Sequence, residues 1–479
     1  MSENNTITNT EDSNKLYRKQ KTNYLAIKAP LVLIPGVFNT IYVYFFFDIL
    51  GMDYLFFIIG MVIYGIFNAL NDPLLGQWSD RTDVNKWGSR RLIFIKYGGP
   101  IWAFFFFIIW MPWSYNNQII IFLHFVIMMV LYDNMLTLVI LVWDALLPEI
   151  AESIEDRNKI FFLANIVGII GGIPVLFALS IIKAGLVIFQ IFTGSLAILS
   201  AIVFFIAASK LRERPELTQE KNVPGFVESI KQCIQSKSFV SFSFYRFFNE
   251  LNNFMLMPFM FAYVLLFTEG FETILLILFG LGGIIGQGIF VRLSEKKEIQ
   301  SLIMHGRTIS IFITVVAFLI SLVNGTDLIW FGLLMIKVIL GGYTVFVNPY
   351  LLLVCDEDEM KHDTRREGMF LGTNAIFNKI AETLGPIIAV TVLVLFNFRQ
   401  NAPEGYVQSE TAIIGIKFLL FIVPSIMDVL GMIALRFYPI KGEYLKELKS
   451  YIEKAHQEKL IKYEESKGLS KVDYKNDSI

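Results

Sequence analysis

Acidic, basic and amide side chains inside long apolar stretches are the residues here best placed to do chemistry, because an ion in hydrocarbon is costly unless it faces a wet cavity or a partner. Asn68 and Asp72 are four residues apart and share one helix face. Asp133, Thr137, Ile140 and Asp144 stand at offsets 0, 4, 7 and 11 and form one helical stripe. Asn68, Asp72, Thr137 and one stripe aspartate make an oxygen donor set for Na+, while a lone buried aspartate would carry a proton instead. Asp133 and Asp144 also have a plainer reading, as solvated residues near a membrane face, and for Asp144, beside a loop, that is the expected state. Lys379 lies in mid-segment with Glu382 three residues on, either as a self-satisfied pair or as a solute contact. Asn249 and Asn253 share a segment with Tyr245, Arg246, Glu250 and Asn252, which suggests a cavity wall or interhelical hydrogen bonding. Asn39 is the single amide of LVLIPGVFNTIYVYFFF, and Trp143 offers a face on which a ring could stack. Lys337, Lys417 and Asp428 are further buried candidates, Asp428 close enough to a segment end to snorkel.

The elements that must position these residues are membrane spans. Of 479 residues 55% are hydrophobic and only 17% charged, against about a quarter charged in a soluble domain. Apolar stretches near the ~20 residues of a bilayer crossing recur at 26–50, 54–76, 92–112, 118–147, 159–182 and 186–208. They return at 238–267, 272–292, 302–323, 327–355, 367–397 and 410–438. The chain is thus read as an N-terminal tail (1–25), a six-helix bundle (26–209), a central loop (210–237), a second bundle (238–439) and a tail expected to be helical and exposed or at the membrane surface (440–479). Lys15, Arg18, Lys19 and Lys21, the loop after the second span, the central loop and the C-terminal tail carry most of the basic charge, and the opposite side carries little beyond Lys183 and Arg399. The positive-inside rule then puts both termini in the cytoplasm. The polar start MSENNTITNTEDSN gives no expectation of a signal peptide, and Cys233 and Cys355, both on the cytoplasmic side, are expected unbridged. Gly76-Gln77 before a basic turn is echoed by Gly286-Gln287 before Arg292, a weak internal repeat of the kind transporters show.

The most specific stretch is NALNDPLLGQWSDRTDVNKWGSRR. Gly76, Asp80, Arg81, Arg90 and Arg91 fit the G-x-x-x-D-R…R-R loop of major facilitators, where a small residue lets helices approach and the aspartate pairs across a gate; a merely topogenic basic loop is the plainer reading. With Asn71-Asp72-Pro73, with VWDALLPEIAES, with CDEDEMKHDTRREGMF (Asp356, Arg366 and Glu367) and with IFNKIAETLGP, the sequence resembles the glycoside-pentoside-hexuronide:cation symporters, the melibiose permease-like family of the major facilitator superfamily. The resemblance implies an all-α integral membrane protein with the major facilitator fold, twelve transmembrane helices in two six-helix bundles. It also implies a cation site on the second and fourth spans, where Asp72 keeps one acidic position, Asn68 replaces another and Ile140 stands at the third. Lys379 matches the family's lysine, which contributes to the cation and sugar sites.

Three charged sugar contacts that the resemblance would imply, on the first, fourth and fifth spans, are missing, with Ile140 and Phe161 at two of the positions, so galactoside specificity is not expected. The expected function is alternating-access symport of a sugar or related small solute with Na+ or H+. A lipid or lysophospholipid carrier on the same fold, or a non-transporting sensor, are the alternatives. There is no phosphate loop or metal-ligand cluster, and His124, His305, His362 and His456 are scattered, so no enzymatic activity and no cofactor beyond the coupling ion are expected. The expected partners are a small-molecule substrate and the lipid bilayer of the plasma membrane, with no nucleic acid and a monomeric state.

Overall fold

A computed structural model describes residues 3–80, 82, 89, 91–150, 154–212, 226–264, 272–362, 367–403, 406–452 and 454, with side chains from 19 onward. Asp72, Gly76, Asp80 and Glu367 lie in helices whose side chains there are outside the described set, and Arg81, Arg90 and Arg366 lie outside the described residues altogether. The N-terminal half comprises α1 (Glu3–Val43), α2 (Tyr54–Asp80), α3 (Gly99–Ile108), α4 (Gln118–Ile150), α5 (Ile154–Gly171), α6 (Val175–Ala184) and α7 (Leu186–Lys210). The C-terminal half comprises α8 (Phe226–Gln235), α9 (Lys237–Val264), α10 (Glu272–Ser294), α11 (Ile299–Ser321), α12 (Asp327–Leu340), α13 (Val347–His362), α14 (Glu367–Leu395) and α15 (Glu410–Arg436). Helix falls within every expected span; α5 with α6, and α12 with α13, each form one interrupted span. Among the described residues nine helices are long and apolar enough to cross a membrane, and Tyr54–Ala69 and Phe94–Ile108 are shorter apolar ones.

The helices are apolar on the outside as well as within, because their solvent is lipid: Ile169, Val187 and Phe312 are among many exposed aliphatic and aromatic residues. The inside of the N-terminal bundle is an aromatic core. Phe38 stacks on Tyr132 with centroids 4.1 Å apart and on Tyr42 at 4.8 Å. In that bundle α2 packs on α4, α3 on α7, and α1 on α5 and α7. In the other, α9 packs on α14 and α15, and α11 on α12 and α15. The halves meet where α14 lies on α2, α1 on α9, and α6 on α10.

Two interruptions shape the space between the halves. The run Gly171-Gly172-Ile173-Pro174 ends α5, since a proline removes a backbone donor and clashes with the preceding turn, and α6 restarts at Val175. Between α12 and α13 the chain tightens into a 3-10 segment, Gly341–Phe346. There it crosses α10 at backbone contact: a Cβ on Gly342 would stand 2.1 Å from the Gly286 carbonyl carbon, and one on Gly286 would stand 2.2 Å from the Ile339 oxygen. Only glycine on both helices permits that crossing.

Two expectations are corrected outside the bundles. The central polar stretch contains the amphipathic helix α8, packed on α14. The described part of the C-terminal tail, a helix over 442–452, is not simply exposed: Leu448 is buried, and Tyr444, Leu445 and Ile452 pack onto the second bundle, because the apolar residues at helical spacing find a protein face.

Candidate functional site

Among the described residues, two clusters of charged side chains inside the bundles join several helices. The first is the seam where α2, α4 and α14 meet. Tyr64 on α2 places its hydroxyl 3.1 Å from Oδ1 of Asp133 on α4 and 3.1 Å from Oε1 of Glu382 on α14. Asn68, one turn on, donates to the Tyr64 hydroxyl oxygen (3.0 Å) and to Glu382 Oε2 (3.2 Å), and Asn71 donates to Asp133 Oδ2 (2.9 Å). Lys379 reaches back across the seam, giving protons to the Asn68 carbonyl (2.6 Å) and to Oδ1 of Asn68 and Asn71 (2.7 Å each). Gly65 allows the close approach, since a Cβ there would stand 2.6 Å from Thr383 Oγ1. A small cavity of about 250 Å³ opens onto Asp133, Tyr64, Glu382 and Asn39. A hydroxyl has one proton to give. Of the two carboxylates at hydrogen-bond distance, it can therefore donate to only one at a time.

The second place is the core of the C-terminal bundle. Arg307 on α11, fully buried, sits 3.3 Å from Oδ1 of Asp428 on α15 and donates to Asn249 Oδ1 on α9 at 2.9 Å. Its guanidinium lies over the rings of Tyr245 (4.8 Å) and Tyr343 (5.0 Å). A larger cavity, about 700 Å³, runs between the halves, and its wall includes Asn39, Asn249, Asn252, Gln287, Lys337 and Asp428. Asn39 faces both cavities.

The predicted residues distribute as follows. Asn68, Asp133 and Lys379 are brought together at the seam. Thr137 is buried one turn after Asp133 and lines neither cavity between the halves. Asn39, Asn249 and Asn253 line the larger cavity, Asn253 also donating to Glu250 at 3.4 Å. Trp143 is placed away from both cavities: its indole stacks on Tyr24 at 4.6 Å, donates to the Tyr24 carbonyl at 3.1 Å and carries the Lys28 ammonium 4.8 Å above its ring. It is held by packing at the α1–α4 contact and is not in reach of a solute in the central space. Asp144 is exposed, whereas Asp428 does not snorkel, being buried against Arg307. His124 is buried and bonded through Nε2 to the Ile109 carbonyl at 2.9 Å, a structural position.

Of the loops expected to gate, Arg91 and Asp356 are half-buried, while the other motif side chains lie outside the described residues. Next to Asp356, Glu357 accepts from Lys361 (2.7 Å) and from the Tyr444 hydroxyl (2.8 Å), so the tail helix is tied to the end of α13. Burial and the Glu357 carboxylate together push the Tyr444 phenol above its ordinary range. At the other end of the molecule the Asn401 N–H reaches the Asp48 carbonyl (3.0 Å) and Oδ1 (3.2 Å), linking the end of α1 to the α14–α15 loop.

Sequence reasoning gave Glu382 only as a neighbour of Lys379 and missed Tyr64 and Arg307. Arg307 was findable, as an arginine inside an apolar span. Tyr64 was not, because nothing separates it in sequence from the other aromatics of the second span.

The family model of MFS/sugar transport proteins matches residues 23–442. Transmembrane protein 180 of Gallus gallus is 31% identical over 196 residues, 38% of this chain and 38% of that one. An uncharacterized symporter of Synechocystis is 31% identical over 131 residues, 26% of this chain and 24% of its own. The match spans about two fifths of the length of transmembrane protein 180, in chicken and in mouse. Among solved structures, the nucleoside transporter NupG superposes with a TM-score of 0.60 at 14% identity, over 89% of this chain and 100% of that one. A D-xylose-proton symporter superposes with a TM-score of 0.59 at 13% identity, over 89% and 98%. These likenesses are of fold.

Proposed function

The chain belongs to the family of MFS/sugar transport proteins, a secondary-transporter scaffold and not an enzyme, and from that premise we propose that it is a cation-coupled symporter of a small organic solute, with the proton as the coupling ion. The observation that carries this is the Tyr64 hydroxyl shared by Asp133 and Glu382 at 3.1 Å each. An added proton on one carboxyl completes the pattern: the tyrosine donates to the ionised partner and accepts from the protonated one, while Asn68 fills its remaining lone pair. The cavity beside them supplies the route. Lys379 holds α2 to α14 through three hydrogen bonds, so the same cluster stands where the halves must part in alternating access. The wall of the larger cavity is mostly apolar with the amides Asn39, Asn249, Asn252 and Asn253 set into it, which suits a solute that joins an apolar body to a few polar groups. The basic tail and loops support cytoplasmic termini, and a plasma-membrane location belongs to the same proposal.

Uptake into proteoliposomes of labelled hexoses, hexuronates and nucleosides, with H+ and Na+ gradients imposed separately, tests this. A proton gradient alone is expected to drive accumulation. Glu382→Gln and Asp133→Asn are expected to abolish accumulation while sparing solute exchange at equal concentrations. Accumulation driven by Na+ alone, or indifferent to both gradients, overturns proton coupling.

A further inference from the structure

The wall of the larger cavity has a surplus positive charge. Its ionisable lining residues are Lys337, Asp428 and Tyr343. Asp428 is already matched by Arg307 at 3.3 Å, and Arg307 has its own acceptor in Asn249 and two aromatic faces, so those two charges cancel behind the wall. Lys337 makes no hydrogen bond and no ion pair, and Asp428 attracts it only at longer range than an ion pair. An ammonium carries three N–H donors, and one left without acceptors inside a membrane bundle is strongly unfavourable. Two features of the fold put it there. It lies in the last turn of α12, where the helix stops at Leu340 in mid-span and its carbonyl end favours a cation. The 3-10 segment that follows, with Gly341 and Gly342 on the cavity wall, keeps the backbone thin beside it.

A second unsatisfied group faces the same space with the opposite need. Asn252 on α9 has its Oδ1 buried without a hydrogen-bond donor, and its side chain lines the same cavity as Lys337. A buried acceptor without a partner is costly in the same way.

We propose that the solute is a small organic anion, its acidic group taken by Lys337 and a hydroxyl or N–H of the same molecule donated to Asn252. The seam of Tyr64, Asp133 and Glu382 lies on the other cavity that Asn39 faces, so a cation taken there and an anion at Lys337 would be carried side by side. The charge match rests on the symport reading above, but the anion site is tested without it.

The test is equilibrium binding to the purified full chain in detergent, read as a thermal shift across matched neutral and anionic pairs. Glucose is set against glucuronate, adenosine against adenosine monophosphate, and glycerol against glycerol phosphate. The anionic member of at least one pair is expected to stabilise the protein where its neutral partner does not. Lys337→Arg keeps that binding, Lys337→Gln weakens it by about tenfold or more, as for the loss of a charge-assisted hydrogen bond, and Asn252→Leu weakens it without changing the preference for charge. Stabilisation by a neutral member equal to its anion, binding by neither member of any pair, or full binding by a folded Lys337→Gln protein overturns the proposal. Because no gradient is used, its failure leaves proton coupling standing, and failure of gradient-driven uptake leaves anion binding standing.

Discussion

Replacing Asp428 by asparagine removes one charge from the C-terminal core and almost no volume. Arg307 would keep its 2.9 Å bond to Asn249 and its two ring faces but lose the carboxylate 3.3 Å away. Breaking a buried pair by removing one partner typically costs about 3–5 kcal/mol. Lys337 lies close enough to feel Asp428, so the variant also loses the anion that tempers a second cation and belongs at the upper end of that range. At about 1.4 kcal/mol per tenfold, the folded-to-unfolded ratio falls by roughly two to nearly four orders of magnitude. Much of that cost is a stranded charge, and so a second mutation should return it. In Arg307→Met/Asp428→Leu both ions are gone and apolar groups fill similar space, an exchange that is commonly neutral or favourable by about 1–4 kcal/mol. Thermal and denaturant unfolding of the purified proteins in one detergent, followed by tryptophan fluorescence, checks this. The expected order is wild type, then the double variant, short of it only by what Lys337 loses with Asp428, then Asp428→Asn and Arg307→Met. A double variant that loses as much as the two single variants combined would refute the idea that charge pairing governs this core.

Trp143→Ala should cost about 3–5 kcal/mol of stability, as for other large buried aromatics. It should leave the Kd of any bound solute unchanged, since the indole is spent on Tyr24 and Lys28; a selective rise in Kd at unchanged stability would return Trp143 to the solute site. Gly342→Ala places a Cβ 2.1 Å from the Gly286 backbone, so α10 and the 3-10 segment must move apart by more than about 1 Å to regain ordinary contact. Its yield of monodisperse protein should fall sharply, whereas Gly332→Ala, with open space at its Cβ, should match wild type; equal behaviour of the two would show that the crossing is not tight.

The spans were legible because a bilayer imposes a length and a composition that soluble folds do not share, and helix falls within each of them. The seam was half legible. Asn68, Asp133 and Lys379 stand out in apolar surroundings, but their meeting depends on how α2, α4 and α14 cross, which no single segment encodes. Tyr64 became decisive only through partners 69 and 318 residues away. Trp143 misled for the reciprocal reason: its chemistry suits a ring-stacking site, but its place on α4 turns it to Tyr24, 119 residues away in sequence. The interruption at Gly341–Phe346 was hidden inside a continuous apolar run, because hydropathy does not register where a helix narrows its pitch.

The ammonium of Lys379 has one further consequence, and it concerns time. Three of its hydrogen bonds, at 2.6, 2.7 and 2.7 Å, end on α2 while the lysine itself belongs to α14. Parting the halves without substitute acceptors breaks three bonds to a charged donor in a low-dielectric seam, so that route has a high barrier. An arrangement that supplies a new acceptor at the moment of parting has a low one. For the symporter proposed above, the seam would discriminate between an empty carrier and a loaded one by rate, and a carrier that is slow to turn when empty holds its gradient.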